Sequence, residues 1–207
     1  GEDAPIDFLN PLQGKEISYN NVSDSLAAWA CVQEFNEPSV CIVKHTNPCG
    51  VASSKDILES YKKAFQTDPT SAFGGVIACN NEIDKKTANY MINNQFIEVL
   101  VAPSYTKEAI EILQSKPNIR VLRSNHNEID IVENRIVNGI GLVQSSDTED
   151  FSSMEFKNVT KISPTPEQLD DLIFAMKVAK HAKSNAIVLA KNKMTLGVGV
   201  GQMSRVI

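Results

Sequence analysis

Residues 74–103 read GGVIACNNEIDKKTANYMINNQFIEVLVAP, in which two strand-like runs stand on either side of one helical period. The runs at residues 76–79 and 99–102 are short and apolar, as buried strands are, and Pro103 ends the second. Residues 84–93 between them are predicted to form a helix. A strand, a helix and a strand in this order are typical of a sheet covered by helices, so the segment predicts an α/β fold.

The same alternation continues on both sides of this segment. Ser23 or Asp24 is predicted to cap the first helix, and Thr165, followed by Pro166, the last one. The last two strands are expected to be joined by a turn at Asn192-Lys193. The further predicted helices hold residues 26–32, 54–65, 106–114 and 166–183, and the further strands are residues 40–43, 119–122, 186–190 and 195–198.

Two regions fit this alternation less well. Residues 128–132 and 135–142 are predicted to pair around Asn134, and residues 145–163 are polar enough for a mobile excursion. The chain closes on GVGVGQMSRVI without a terminating element, and a domain rarely ends on a glycine-rich loop after a strand edge, so we expect a truncated domain. The predicted inner face of the last helix consists of Leu169, Leu172, Ile173, Met176 and Ala179.

Composition narrows the classes of function. The formal net charge of −5 over 207 residues gives no general attraction to nucleic acid or to an anionic membrane. The sequence has neither a run of about 18 apolar residues nor a signal-peptide pattern, so a cytoplasmic protein is expected. No CxxC pair occurs among the cysteines, which favours buried thiols over disulfides or a zinc cage. These cysteines are Cys31, Cys41, Cys49 and Cys79.

The first candidate site is the sequence VKHTNPCG around Lys44 and His45, where a buried strand gives way to a loop. A neighbouring cation disfavours the imidazolium, so Lys44 helps His45 to stay neutral and able to accept a proton. Asn47 and the proline after it favour a stiff turn, and Gly50 allows backbone to approach a ligand. The structural alternative is that Lys44 extends to solvent and His45 bonds a carbonyl.

Three further segments carry polar or glycine-rich patterns. In SAFGGVIA, paired glycines before a strand expose amide groups and Phe73 offers a flat face to a heterocycle, although such a pair is also a common turn. In KHAKSNAIVLAK, Asn185 stands at a helix-to-strand switch, while His181 and Lys183 are explained by a solvated helix end that complements the helix dipole. In GVGVGQMSR, alternating glycines precede Arg205, which suits a carboxylate or phosphate.

Two rival interpretations use the same segments. GVGVG is not the usual dinucleotide fingerprint, and no acidic residue follows about 20 positions later. His45 with Pro48-Cys49 has part of the zinc-deaminase pattern, but Asn47 stands where that pattern has glutamate and Ala52 where it has its second cysteine. We therefore expect no zinc.

Five segments together resemble a known family. In order, LQGKEISYNN, IVKHTNPCGVA, DPTSAFGGVIA, DLIFAMKVAKHAKSNAIVLAK and LGVGVGQMSR are similar to the AICAR transformylase region of the AICAR transformylase/IMP cyclohydrolase family. The resemblance spans nearly the whole chain. It implies a three-layer α/β/α, cytidine-deaminase-like fold with a mixed sheet and without zinc.

The reaction that the resemblance implies is formyl transfer from 10-formyltetrahydrofolate to the 5-amino group of AICAR, which gives FAICAR in purine biosynthesis. His45 would then move the proton, Lys44 would supply positive charge near the oxyanion, and Asn185 would orient the formyl oxygen or the carboxamide. The positions that the resemblance assigns to substrate are Asn47, Phe73, Gly74 and Arg205, and Glu98 is the position it links to folate.

The resemblance also implies a larger protein. Residues 1–20 would be an irregular lead-in after an IMP cyclohydrolase domain, and residues 21–207 the first half of a transformylase domain, inactive by itself. The family forms its sites between two subunits, so a homodimer with AICAR and folate as small-molecule ligands is expected. The alternatives left open are a ligand-binding fragment without catalysis and a relative of zinc nucleoside deaminases.

Overall fold

The computed structural model describes residues 4–125 and 132–204. Residues 126–131, which include part of the first strand predicted around Asn134, lie outside the described residues, and so does Arg205. The elements are α1 Tyr19–Val32, β1 Ser39–Lys44, β2 Asn47–Ser53, α2 Ile57–Thr67, α3 Pro69–Ala72, β3 Gly75–Cys79, α4 Lys85–Asn94, β4 Ile97–Ala102, α5 Lys107–Leu113, β5 Arg120–Arg123, β6 Val132–Val137, β7 Ile140–Ser145, α6 Pro166–Lys180, β8 Ile187–Lys191 and β9 Met194–Gly199, with a short 3₁₀ turn at Phe151–Ser153.

Seven strands form one mixed sheet in the order β5-β4-β3-β1-β2-β9-β8. The pairs β3–β4 and β4–β5 are parallel, and the other neighbours are antiparallel. One face is covered by α2, α4 and α5, whose buried contacts include Tyr61, Met91 and Leu113. The other face is covered by α1 and α6 through Trp29 and Phe174. The predicted mixed α/β fold is confirmed.

Local capping explains where the helices begin. Ser18 caps α1: its hydroxyl accepts from the Asn21 amide at 3.2 Å, and the Asn21 side chain accepts from the Ser18 amide at 3.0 Å. The prediction of Ser23 or Asp24 as the cap is therefore wrong, because both lie inside α1. Thr165 caps α6 as predicted, in a capping box with Gln168.

The strand β2 was missing from the sequence prediction, which assigned its residues to a turn. Asn47, Pro48 and Gly50 all lie in β2, and a register shift opposite Ile42 and Val43 accommodates the proline. A Cβ on Gly50 would stand 2.0 Å from the Ala64 carbonyl oxygen. The glycine therefore permits close packing of α2 on β2, and its predicted use in ligand approach is wrong.

The small hairpin and α6 also differ from expectation. β6 and β7 turn at Asn138-Gly139, both with positive φ, and not at Asn134, because Asn-Gly is the stronger turn dipeptide. In α6 the buried residues are Phe174 and Val178, whereas the predicted Leu172 and Met176 are exposed. Phe174 and Val178 lie in one buried cluster with Phe35, whose ring centroid is 5.0 Å from that of Phe174, and this cluster defines the inner side of α6.

None of the helices in the described ranges combines the length and hydropathy that a membrane span requires. The four cysteines are unpaired thiols; Cys49 is half-buried and the other three are buried. This confirms the prediction of buried thiols for Cys31, Cys41 and Cys79, while Cys49 is less buried than predicted.

Candidate functional site at one end of the sheet

Strand directions bring the candidate segments to one end of the sheet. β1 ends there and β2 begins there, joined by His45 and Thr46. β3 is antiparallel to β1 and β4 is parallel to β3, so both begin at this end. β9 is antiparallel to β2 and ends there, and β8 begins beside it. The segments at this end are residues 44–47, 73–75, 96–98, 183–185 and 200–202.

The turn that carries His45 has an unusual backbone. Lys44 pairs with Asn47, and the two residues between them have φ values of 53° at His45 and 62° at Thr46, which is a type I′ turn. Such a conformation costs roughly 1–2 kcal/mol for each ordinary residue, and a β-branched residue is a clear outlier there. His45 is nevertheless exposed at the turn.

Two polar contacts hold this turn. The Thr46 amide donates to Asp24 Oδ1 of α1 at 2.7 Å, and the Asn47 side-chain amide donates to the His45 carbonyl at 3.0 Å. A hydrogen bond to a carboxylate is stronger than one between neutral groups. The prediction that Asp24 is a helix cap missed this contact, which joins residues 22 positions apart in the chain.

The ammonium of Lys44 reaches across the sheet. Its Nζ donates to the Phe73 carbonyl at 2.7 Å and to the Gly74 carbonyl at 3.0 Å. Gly74 has a φ of +66°, and a Cβ there would stand 3.3 Å from Lys44 Nζ, so glycine suits this crossing. The expectation of an exposed amide is wrong for Gly74, because its N–H donates to the Phe96 carbonyl at 2.9 Å.

Two exposed aromatic rings stand next to this ammonium. The Phe73 and Phe96 side chains are 63% and 47% exposed, and their ring centroids are 5.7 Å apart. A cavity of about 330 Å³, lined by residues 92–97 and 115–119, opens beside Phe96. Sequence reasoning selected Phe73 but missed Phe96, whose only local signal is an aromatic residue just before a strand.

Asn47 connects the His45 turn to the segment before β8. Its Oδ1 accepts from the Lys183 amide at 3.1 Å. Two residues later, the Asn185 side chain donates to the Gln202 carbonyl at 2.8 Å, and Gln202 N donates to the Asn185 carbonyl at 3.1 Å. The structure therefore brings His45, Asn47 and Asn185 to one region, linked through backbone and side-chain hydrogen bonds.

Glu98 lies at the same end of the sheet but faces a cation. Ile97 pairs with Gly75 and Val99 with Val76, so Glu98 is the extra residue of a β-bulge. Its Oε1 lies 2.7 Å from Arg120 Nη1 of β5. The sequence prediction selected Glu98 without its partner, because the arginine comes from a different strand.

The solvated helix end that was predicted for His181 and Lys183 is wrong for His181. His181 Nε2 and Lys180 Nζ lie 3.0 and 2.9 Å from the same oxygen of Glu34, and all three side chains are largely buried. Burial opposes protonation of His181, but the hydrogen bond and charge of Glu34 outweigh it and raise the pKa of His181. The same partners lower the pKa of Glu34 against the effect of its burial. Lys183 is exposed.

Metal-binding groups are sparse around the turn. Within residues 4–125 and 132–204, no three His, Cys, Asp or Glu side chains are grouped so that they would hold a metal ion. Burial raises the pKa of Cys49 to about 12, which disfavours the thiolate that zinc ligation needs.

One comparison with known proteins bears on the site. The model of the family described as AICARFT/IMPCHase bienzyme matches residues 2–207. The match includes all segments that meet at this end of the sheet, and it also includes Arg205.

Proposed function

This chain belongs to the AICARFT/IMPCHase bienzyme family, and from that premise we propose that it contributes the formyl-transfer site at the end of its sheet. The family joins AICAR transformylase and IMP cyclohydrolase, two activities of purine biosynthesis, and its transformylase uses a folate co-substrate. The finer proposal is transfer of the formyl group of 10-formyltetrahydrofolate to the 5-amino group of AICAR, which yields FAICAR and tetrahydrofolate.

The observation that carries this proposal is the exposed His45 on a strained turn beside Lys44 and two aromatic rings. Strained backbone persists where the surroundings hold it, and it is concentrated at functional sites. An exposed imidazole at such a turn can meet a substrate amine without rearrangement of the core.

The proton moves as the new bond forms. The AICAR amine attacks the formyl carbon, its nitrogen gives a proton to His45, and collapse of the tetrahedral adduct breaks the bond to N10 of the folate. His45 then returns the proton to N10, so both nitrogens end neutral. Because the amine is conjugated to its ring, it is a weak nucleophile, and a positioned base contributes about 100- to 10,000-fold.

The remaining residues bind and orient in this proposal. A lysine ammonium has three donors; Lys44 uses two for Phe73 and Gly74, and we assign the third to the oxyanion. Phe73, Gly74 and the newly identified Phe96 form the wall for the planar ligand. Asn47 and Asn185 orient the polar groups of the substrates.

Two residues and the assembly complete the proposal. Glu98, fixed by Arg120, is assigned to folate, and Arg205 to an anionic group of a ligand. A homodimer is proposed as the working assembly, because the site lies at an open end of the sheet.

The test is His45→Ala in the protein expressed from its complete open reading frame. We expect kcat to fall about 100- to 10,000-fold, with AICAR affinity and the circular dichroism spectrum retained. His181→Gln is the matched control, since it removes a histidine that is bonded to Glu34 away from the turn. Wild-type turnover by His45→Ala would remove His45 from its role.

The same preparations separate the alternatives. Binding of AICAR and a folate analogue without formation of FAICAR would support a binding module. Release of ammonia from nucleosides together with stoichiometric zinc would support a deaminase. Product formation with both substrates present supports the transferase.

A further inference from the structure

We infer that Asp24 is a positioning residue for His45, which it holds through the amide of Thr46. This inference rests on the proposed function of His45. Its starting point is the type I′ turn, in which Thr46 has a φ of 62° although a β-branched residue is a clear outlier at positive φ. The backbone of this turn must therefore be held by contacts from outside the hairpin.

Asp24 provides such a contact from a fixed support. It lies in α1, whose start is capped by Ser18 and whose Trp29 is buried against the sheet. Its Oδ1 accepts from the Thr46 amide at 2.7 Å, a short charge-assisted hydrogen bond. Because Lys44 pairs with Asn47, the Thr46 amide lies in the loop beyond the strand ladder, where the carboxylate satisfies it.

A second hairpin shows that this arrangement is used again in the same chain. Asn192 and Lys193 at the β8–β9 turn also have positive φ, and both of their amides donate to Asp171 of α6, at 2.9 and 2.8 Å. A helix aspartate that binds the amides of a type I′ turn is therefore a structural device in its own right. At the first turn the device holds a residue proposed to be catalytic.

The geometry points to a role through position and not through contact with substrate. Misplacement of a reacting group by about 1 Å costs roughly 100-fold in rate. Loss of the Thr46 contact lets the turn relax, and the imidazole of His45 is then misplaced. The Phe73 and Phe96 wall that binds the planar ligand stays in place. We expect kcat to change more than the KM for AICAR.

The experiment compares Asp24→Ala, Asp24→Asn and Asp171→Ala in the protein from the complete open reading frame. Asp24→Ala is expected to lower kcat about 10- to 100-fold with the KM for AICAR nearly unchanged. Asp24→Asn, whose side-chain oxygen still accepts, should recover most of that loss. Asp171→Ala should lower the melting temperature comparably and leave kcat near wild type. Equal kcat for Asp24→Ala and Asp171→Ala would overturn the inference.

A second variant keeps the test decisive if Asp24→Ala folds poorly. Thr46→Gly places glycine at the second turn position, where type I′ turns prefer it, so the turn forms without external support. The decrease in kcat that Asp24→Ala causes should be several-fold smaller in the Thr46→Gly background than in the protein that has threonine. An unchanged cost would overturn the inference. Failure of the proposed function is seen separately, as wild-type kcat for His45→Ala.

Discussion

The two type I′ turns of this protein have the same geometry and different residues. The β1–β2 turn is His45-Thr46 at one end of the sheet, and the β8–β9 turn is Asn192-Lys193 at the other. Each is held by an aspartate from a helix on the same face, Asp24 or Asp171. Asparagine adopts positive φ readily, whereas a β-branched threonine rarely does. Of the four residues only the β-branched Thr46 is a clear outlier at positive φ, so the first turn is the more strained of the two.

The difference agrees with the role that is proposed for His45. A strained conformation that a better residue would relieve is retained when the side chain itself is needed. The proposed base lies in the strained turn, His45-Thr46. In the other turn, Asn192-Lys193, which we call the relaxed turn, Lys193 pairs with Glu37.

The largest expected effect comes from a transplant in which the residues of the relaxed turn replace those of the strained turn. His45→Asn with Thr46→Lys should preserve or raise the free energy of unfolding and lower kcat about 100- to 10,000-fold. Denaturant titration and steady-state assays of one preparation measure both. Full activity of this variant would show that the residues of the first turn are not needed for formyl transfer.

The reverse transplant should affect stability. Asn192→His with Lys193→Thr is expected to lower the free energy of unfolding by roughly 1–2 kcal/mol, because β-branched threonine disfavours positive φ more than lysine does. Lys193→Met alone measures loss of the exposed pair with Glu37, which is expected to contribute less than about 1 kcal/mol. The kcat of the reverse transplant should match wild type; a large loss would show that this end of the molecule also takes part in transfer.

The smallest expected effect concerns the link between the two helices that hold the turns. Glu34, just beyond α1, binds Lys180 and His181 at the end of α6. The pKa of His181 is raised above its usual 6.5 in the folded state. Its contribution to stability is therefore complete below that value and is lost as pH rises through the folded pKa.

Thermal melts in acidic to alkaline buffers measure this contribution of His181 to stability. Relative to wild type, His181→Gln should show a smaller decline in melting temperature between acidic and alkaline buffer. Parallel pH profiles of the two proteins would show that protonation of His181 does not stabilise the folded state.

The periodicity of the sequence was enough to predict most strands and every helix except the four-residue α3. It failed at β2, because Asn47, Pro48 and Gly50 have turn chemistry whatever their surroundings. Pro48 is tolerated at a bulge, and Gly50 is required by the Ala64 carbonyl of a helix that comes later in the chain. Both reasons are tertiary, so a local pattern cannot contain them.

The candidate site shows the same limit. Local patterns selected Lys44, His45, Phe73 and Asn185, and the structure brings their segments to one end of the sheet. Asp24 and Phe96 were missed, since their importance depends on partners from other elements, the Thr46 amide and the Phe73 ring. The catalytic role of His45 remains a prediction.

The most direct measurement of that role is chemical rescue of His45→Ala by imidazole. The exposed position of His45 leaves room for a free base to enter from solvent. If the imidazole of His45 takes the proton of the AICAR amine, the single-turnover rate of formyl transfer should be low in the variant and rise with added imidazole. A variant whose rate equals wild type without imidazole, or is low and does not respond to it, would contradict this account.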